Sequence, residues 1–346
     1  MSSLPDRCLG VGVLLGMAAL AWAAESPPQA VPVKPAAPVY RLSKAVQHDN
    51  LTIFFLVGAD QLKGQRILTL DEALRDRKVI VHETKNVNEL AIENVSGESV
   101  FVQAGDIVKG GQQDRVLALD GIIQPKSGKL PISSFCVEQG RWAARGGEDS
   151  KKFSRSQQQL IGNDLKIAAR SSKSQRGVWK EVAEQQKKLM MATGKEVKDA
   201  QSSTSLQLTL ENKNVAEAIE AYRKKLEAQL PPTEDGNVIG YAVAINGKVM
   251  SADIYANSDL FRRLWPKLVR ASILEAVADR KAGGKVPEVK AKEVEAFLAD
   301  AASGKKQERA GLADQREEQR DSKDNVYFET KSAKDGTVLR RSYLAK

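Results

Sequence analysis

The sequence predicts an α+β fold: a β-rich N-terminal half, built as an antiparallel sandwich or partly open barrel, followed by a helix-rich half that carries a β-hairpin. Three observations predict it. Five or more short apolar runs separated by turn residues lie between Leu51 and Val137. Val215, Ile219, Tyr222, Leu226 and Leu230 recur at helical spacing on one stripe. Two apolar runs, 238–245 and 248–255, flank Asn246-Gly247, a strong short-range hairpin signal.

The first 23 residues read as an export signal. Arg7 precedes an apolar stretch, 9–22, that is shorter than the roughly 18 residues expected of a spanning helix. Ala21-Trp22-Ala23 fits a cleavage site, with the cut after Ala23. The mature chain is therefore expected to be exported, into a periplasm, with no transmembrane segment. Residues 24–38 are rich in Pro and Ala and read as an extended linker.

The β-rich region is expected over 39–142. Residues 51–57 (LTIFFLV) form a buried strand candidate, and 69–75 a short helix in which Thr69 and Glu72 have capping-box spacing. Residues 79–83 and 90–94 read as strands, and Ser96-Gly97 turns the chain into 100–102. Beyond Gly110-Gly111 come 115–119, 122–123 and 130–137, with a turn at 125–128. Pro131 places the last of these at a sheet edge, or the proline at the strand's beginning.

Residues 143–160 are rich in Gly, Ser and Lys; they predict a mobile basic loop and the best boundary between the halves. The helix-rich region, 161–303, holds helices at 177–192 and 214–230, the latter capped by Asn214 with Glu217 and stopped by Pro231-Pro232. After the hairpin, 259–281 reads as a helix capped by Ser258, with a kink or break at Pro266, and 288–302 as another. Residues 304–324, almost all charged or small, read as exposed and disorder-prone. A C-terminal hairpin turning at Asp335-Gly336 is expected in 325–346.

Net charge is +9, and +6 of it falls in residues 143–200. Such a surface suits acidic partners. Aromatic residues make up only 5%, too few for base-stacking surfaces, so no specific nucleic-acid binding is expected. His48 and His82 are the only histidines, which leaves little material for a zinc site or a Ser-His-Asp triad. No metal and no cofactor is expected. Removing the signal removes Cys8 and leaves Cys136 alone, so no internal disulfide forms.

Charged and polar residues are densest, among apolar runs, in 100–142. Lys109, Gly110, Gly111, Gln113 and Arg115 can cradle an anion, since glycines allow close backbone approach and the cations meet the charge. A tight turn or bulge is the alternative. Asp114 and Glu138 can serve as an acid/base pair if their environments separate their pKa values. Alternatively Glu138 pairs with Arg115 or Arg141 and holds the two segments together. Cys136 is a nucleophile candidate if a nearby cation lowers its pKa, and otherwise a small buried hydrophobe. Trp142 and Trp179 can wall a pocket or pack in a core.

GDIVKGGQQDRVLALDGIIQP (105–125) and CVEQGRW (136–142) resemble the signature of a domain family associated with ADP-ribosylglycohydrolases and rhodanese-phosphatases. Val178-Trp179, GYAVAINGKVMSADIY (240–255) and LFRRLWPKLVRA (260–271) resemble it too, so the resemblance runs from Val39 to about Lys281. It implies a family of undetermined biochemical activity, with ADP-ribose chemistry in its neighbourhood, and transfers no catalytic residue. The expected function is a non-catalytic exported module that binds a small anionic ligand or a partner protein through the face built by Gly105–Arg115 and Glu138–Trp142. One alternative is a hydrolase of a phosphorylated or ADP-ribose-like substrate, with Asp114 or Glu138 as base and Arg115 or Arg141 holding the anion. Another is an envelope structural or interaction protein.

Overall fold

Two short strands, β1 (Tyr40–Leu42) and β2 (Val46–His48), lead into β3 (Leu51–Gly58), whose apolar run is explained by cover on both faces. Side chains alternate across a strand. Ile53 and Phe55 therefore enter one core, and Phe54 and Leu56 another. The computed structural model describes residues 40–346 apart from 146–147, 233–235, 282 and 284. The signal (1–23) and the linker (24–38) lie outside the described residues. Residues 39–346 form one compact unit.

Next come β4 (Ile67–Thr69), α1 (Leu70–Arg75), β5 (Val79–Glu83), β6 (Glu89–Asn94), β7 (Ser99–Val102), β8 (Asp106–Gly110), β9 (Arg115–Leu117), β10 (Gly121–Ile123), β11 (Lys129–Cys136) and β12 (Phe153–Leu160). Thr69 caps α1 in the expected box: its hydroxyl accepts the Glu72 N–H at 3.2 Å, and the Glu72 carboxylate accepts the Thr69 N–H at 2.8 Å. Six of the strands form an antiparallel sheet in the order β12-β8-β9-β11-β6-β5. Its two edges meet, where Glu83 donates its N–H to the Lys151 carbonyl at 3.0 Å and His82 bridges to Lys152. The sheet is thus nearly closed, with Val81, Ile92, Val108, Leu117 and Ile132 in its core. Pro131 lies where β11 pairs with β6 alone, since β9 joins only from Ser134 onward. A second sheet, β10-β7-β4, includes one parallel pair, Ile67–Thr69 against Ser99–Phe101, within a region expected to be antiparallel.

The chain continues through α2 (Asn163–Arg170), α3 (Gln175–Thr193), α4 (Leu206–Glu211), α5 (Lys213–Leu226), β13 (Val238–Ile245), β14 (Lys248–Tyr255), α6 (Ser258–Ala278) and α7 (Ala291–Ser303), then β15 (Lys305–Ala310), β16 (Gln315–Asp321), β17 (Asn325–Ser332) and β18 (Val338–Ala345). Asn246 and Gly247 both take positive φ, as the β13–β14 turn requires. Asn212 and Asn257, not Asn214 and Ser258, are the N-caps of α5 and α6. Pro266 removes one backbone bond from α6, yet the helix runs through it. Thirteen of its 21 residues are buried, and that packing outweighs the lost bond.

A nine-stranded sheet joins the first and last described strands, in the order β1-β3-β13-β14-β18-β17-β16-β15 with β2 also on β3. One face carries the core with α6, the other carries α7. Two expectations give way here. Residues 153–160, read as part of a mobile loop, form β12 against β8. Residues 305–310 and 315–321, read as disorder-prone, form β15 and β16. The buried carboxylates of β16 are paired: Glu317 binds Arg170 at 2.5 Å and also Arg309, and Glu318 binds Arg320 at 2.6 Å and Lys306 at 3.0 Å. Paired carboxylates tolerate burial that isolated ones do not.

Candidate functional site

The signature folds into an ion-paired clasp. Gly110 and Gly111 have φ of +124° and +56°, and a Cβ on Gly111 would run into the Phe153 ring. Gly110 donates its N–H to Asp114 Oδ1 at 3.0 Å, and Gly111 donates to the Asp149 carbonyl at 3.1 Å. Both amides are used by the chain itself, so the turn offers neither to an anion. Asp114 and Glu138 are fully buried. Arg141 donates from Nε to Glu138 at 2.7 Å, and Arg145 donates to Asp114 at 3.0 Å and to Glu148 at 3.1 Å. Gln113 donates to the Glu138 carbonyl at 3.0 Å, and Lys109 binds Glu211 at 3.0 Å. Burial pushes the Asp114 carboxyl above the usual range, with Arg145 and the Gly110 N–H opposing.

Arg115 turns away from this clasp, as successive residues of an extended chain must. Its guanidinium is buried, donating to the Val87 carbonyl at 3.1 Å, touching Cys136 Sγ, and lying 3.5 Å from Glu83. Cys136 is fully buried, and burial pushes its thiol up to about 11 despite Arg115. The thiol is therefore protonated and shielded at neutral pH, the opposite of what a nucleophile needs. Trp142 stands 54% exposed. The structure thus brings Gly110, Gln113, Asp114, Glu138 and Arg141 together, pairs Arg115 with Cys136 elsewhere, and leaves Lys109 on α4 and Trp142 in solvent.

The two remaining signature carboxylates tie the halves together. Asp120 accepts the Ala104 N–H at 2.7 Å, Arg340 at 2.5 Å and Arg170 at 2.5 Å. Burial raises its pKa, but Arg170 and Arg340 more than offset this and hold it below the usual range. Arg340 reaches on to Asp253 at 2.7 Å. Asp106 accepts Lys267 at 2.5 Å and the Gln103 N–H at 3.0 Å. Burial keeps the Asp106 carboxyl raised even against Lys267.

Lys267 also borders a cleft of about 230 Å³ between α1 and α6. Arg263, Lys267 and Arg270 are four and then three residues apart, so they share one face of α6. Arg75 of α1 faces them, and Leu160, Leu264 and Leu274 supply apolar wall. Arg263 is engaged by Glu72 at 2.6 Å and the Ile67 carbonyl at 2.6 Å, and Arg75 by Asp76 at 2.9 Å. Arg270 differs: its Nε is buried and makes no hydrogen bond among the described residues. The sequence reads 259–281 as a helix, with no site assigned to it. The cationic spacing within that stretch was the available signal for this cleft.

Among the described residues, no group of three or more His, Cys, Asp or Glu is placed to hold a metal ion, and no helix is long and apolar enough to cross a membrane. The family model of the ARPP-1 domain, the ARG and Rhodanese-Phosphatase-superfamily-associated Protein domain, matches residues 39–344, and the chain belongs to that family. No curated protein and no solved structure shows a significant match.

Proposed function

We propose that this member of the family is an exported, non-catalytic module that binds a small anionic ligand in the cleft between α1 and α6. Arg270 carries the reading. A buried guanidinium N–H without an acceptor costs free energy that a bound anion recovers. Lys109 and Arg141 of the signature are ion-paired with Glu211 and Glu138, whereas Arg270 has no ion pair among the described residues, although Arg141 Nη2 and Arg115 Nε share its lack of a hydrogen-bond acceptor. Lys267 adds positive charge to a concave site with an apolar wall, the usual composition of a small-molecule pocket. Export rests on residues 1–23. N-terminal sequencing of the secreted fraction is expected to begin at Ala24.

The test is thermal-shift screening against inorganic phosphate, succinate, hexanoate and AMP, with Arg270→Gln and Arg141→Ala alongside. A ligand that binds the native state raises the melting temperature by mass action. A stabilising anion whose effect is lost in Arg270→Gln and kept in Arg141→Ala is expected. The reverse pattern moves the site to the signature, and no stabilising anion at all overturns the reading.

A second reading, a partner-protein surface, is favoured by Trp142 at 54% exposure and Met191 at 73%. Cross-linking of the cellular protein, lost in Trp142→Ser or Met191→Ser, would support it.

A further inference from the structure

The class of ligand follows from how the cleft is lined, provided that the cleft is the binding site. Its lining interleaves cations with an apolar wall along one face of α6. Lys267 and Arg270 supply charge, while Leu160, Leu264 and Leu274 supply an aliphatic surface. Among the described residues, no aromatic side chain lines it, so a nucleobase or sugar ring has no face on which to stack. Its volume of about 230 Å³ lies below the roughly 300–1,000 Å³ typical of sites for larger organic ligands.

The acidic residues at the rim limit the ligand's charge. Asp71 and Glu72 border the cleft, paired with Arg155 at 3.3 Å and Arg263 at 2.6 Å. A ligand with several negative charges meets these carboxylates, whereas a single carboxylate matches the planar fork of Arg270. Lys267 is held by Asp106 and adds field from one side. We infer that the ligand is a small aliphatic carboxylate, with its anionic end on Arg270 and its hydrocarbon chain along Leu160, Leu264 and Leu274. The cleft offers nucleotides and ADP-ribose derivatives neither the volume nor the stacking surface they need.

Isothermal titration of the purified protein with hexanoate, octanoate, inorganic phosphate, AMP and ADP-ribose tests this. Two variants keep the test open to failure: Arg270→Gln, and Pro266→Glu, which puts a negative charge at an exposed position of the lining. The expected result is saturable binding of hexanoate or octanoate at least tenfold tighter than phosphate or AMP, weakened at least tenfold in both variants. Tighter binding of AMP, ADP-ribose or phosphate overturns this inference while leaving an anion-binding function standing. So does carboxylate binding that neither variant weakens. Binding of none of the five overturns the inference and the function it rests on.

Discussion

Lys267 of α6 and Asp106 of β8, 161 residues apart in the chain, form a buried ion pair at 2.5 Å that fastens the helix of the cleft to the first strand of the signature. Among the described residues, neither charge has another full counter-charge in hydrogen-bonding reach: the second contact of Asp106 is the Gln103 N–H. Replacing one partner leaves the other buried and uncompensated, which costs about 3–5 kcal/mol. Lys267→Met is expected to lower unfolding free energy by that amount in urea titrations. Lys267→Met with Asp106→Leu is expected to recover most of it. A double variant no more stable than the single one would show that the pair is not what holds these elements.

Glu275 sets a pH dependence. Burial raises its carboxyl from 4.5 to about 7, although Lys166 and the Asn163 N–H, at 2.5 Å, favour the charged form. A raised folded pKa means that the native state keeps a proton that the unfolded chain releases. The stabilising contribution is complete below about pH 4.5 and is lost as pH rises through about 7. The loss amounts to about 3 kcal/mol for a shift of this size. Glu275→Gln is expected to flatten the decline in urea midpoint between those values and to exceed the parent in stability at pH 8. An unchanged slope would refute the assignment.

The Cys136 thiol is expected to resist alkylation in the native protein at neutral pH, because it is buried and its pKa is raised to about 11. Iodoacetamide labelling of a chain beginning at residue 24 should track the unfolded fraction across a urea series. Rapid labelling without denaturant would restore Cys136 as a reactive group.

Arg141→Ala is expected to destabilise without abolishing anion binding. The change leaves the buried Glu138 carboxylate with Arg145 at 3.8 Å as its nearest remaining cation. The cost of a buried group deprived of its partner is about 1–3 kcal/mol. Urea unfolding measures this loss, and ligand titration of the same variant separates the clasp from the cleft.

The local elements were legible because their causes are local. The Thr69–Glu72 box and the Asn246-Gly247 turn span a few residues, the Val215–Leu226 stripe repeats every three or four, and each appears where the sequence predicts it. The strands β15 and β16 were not legible. Their charges argue for exposure unless Glu317 and Glu318 are known to meet Arg170, Arg309 and Arg320. The candidate site divides in the same way. That Glu138 and Arg141 pair was among the alternatives three residues apart could offer. That Arg115 leaves them for Cys136, and that Arg145 joins them, depended on strand direction and on the path of the chain after Trp142.

The sequence by itself determined that this chain is α+β, the approximate positions of five helices and of the Asn246-Gly247 hairpin, and a resemblance at 105–125 and 136–142 to the family whose model matches 39–344. Only the tertiary structure decided that β3 sits in one sheet with β13, β14 and β18, that Asp120 is shared by Arg170 and Arg340, and that a cationic cleft lies between α1 and α6. Backbone propensity and capping act over three or four residues and can be read along the chain. The pairing of charges and the shape of a cleft arise between residues 50 to 220 positions apart, where burial rather than local preference chooses the partner.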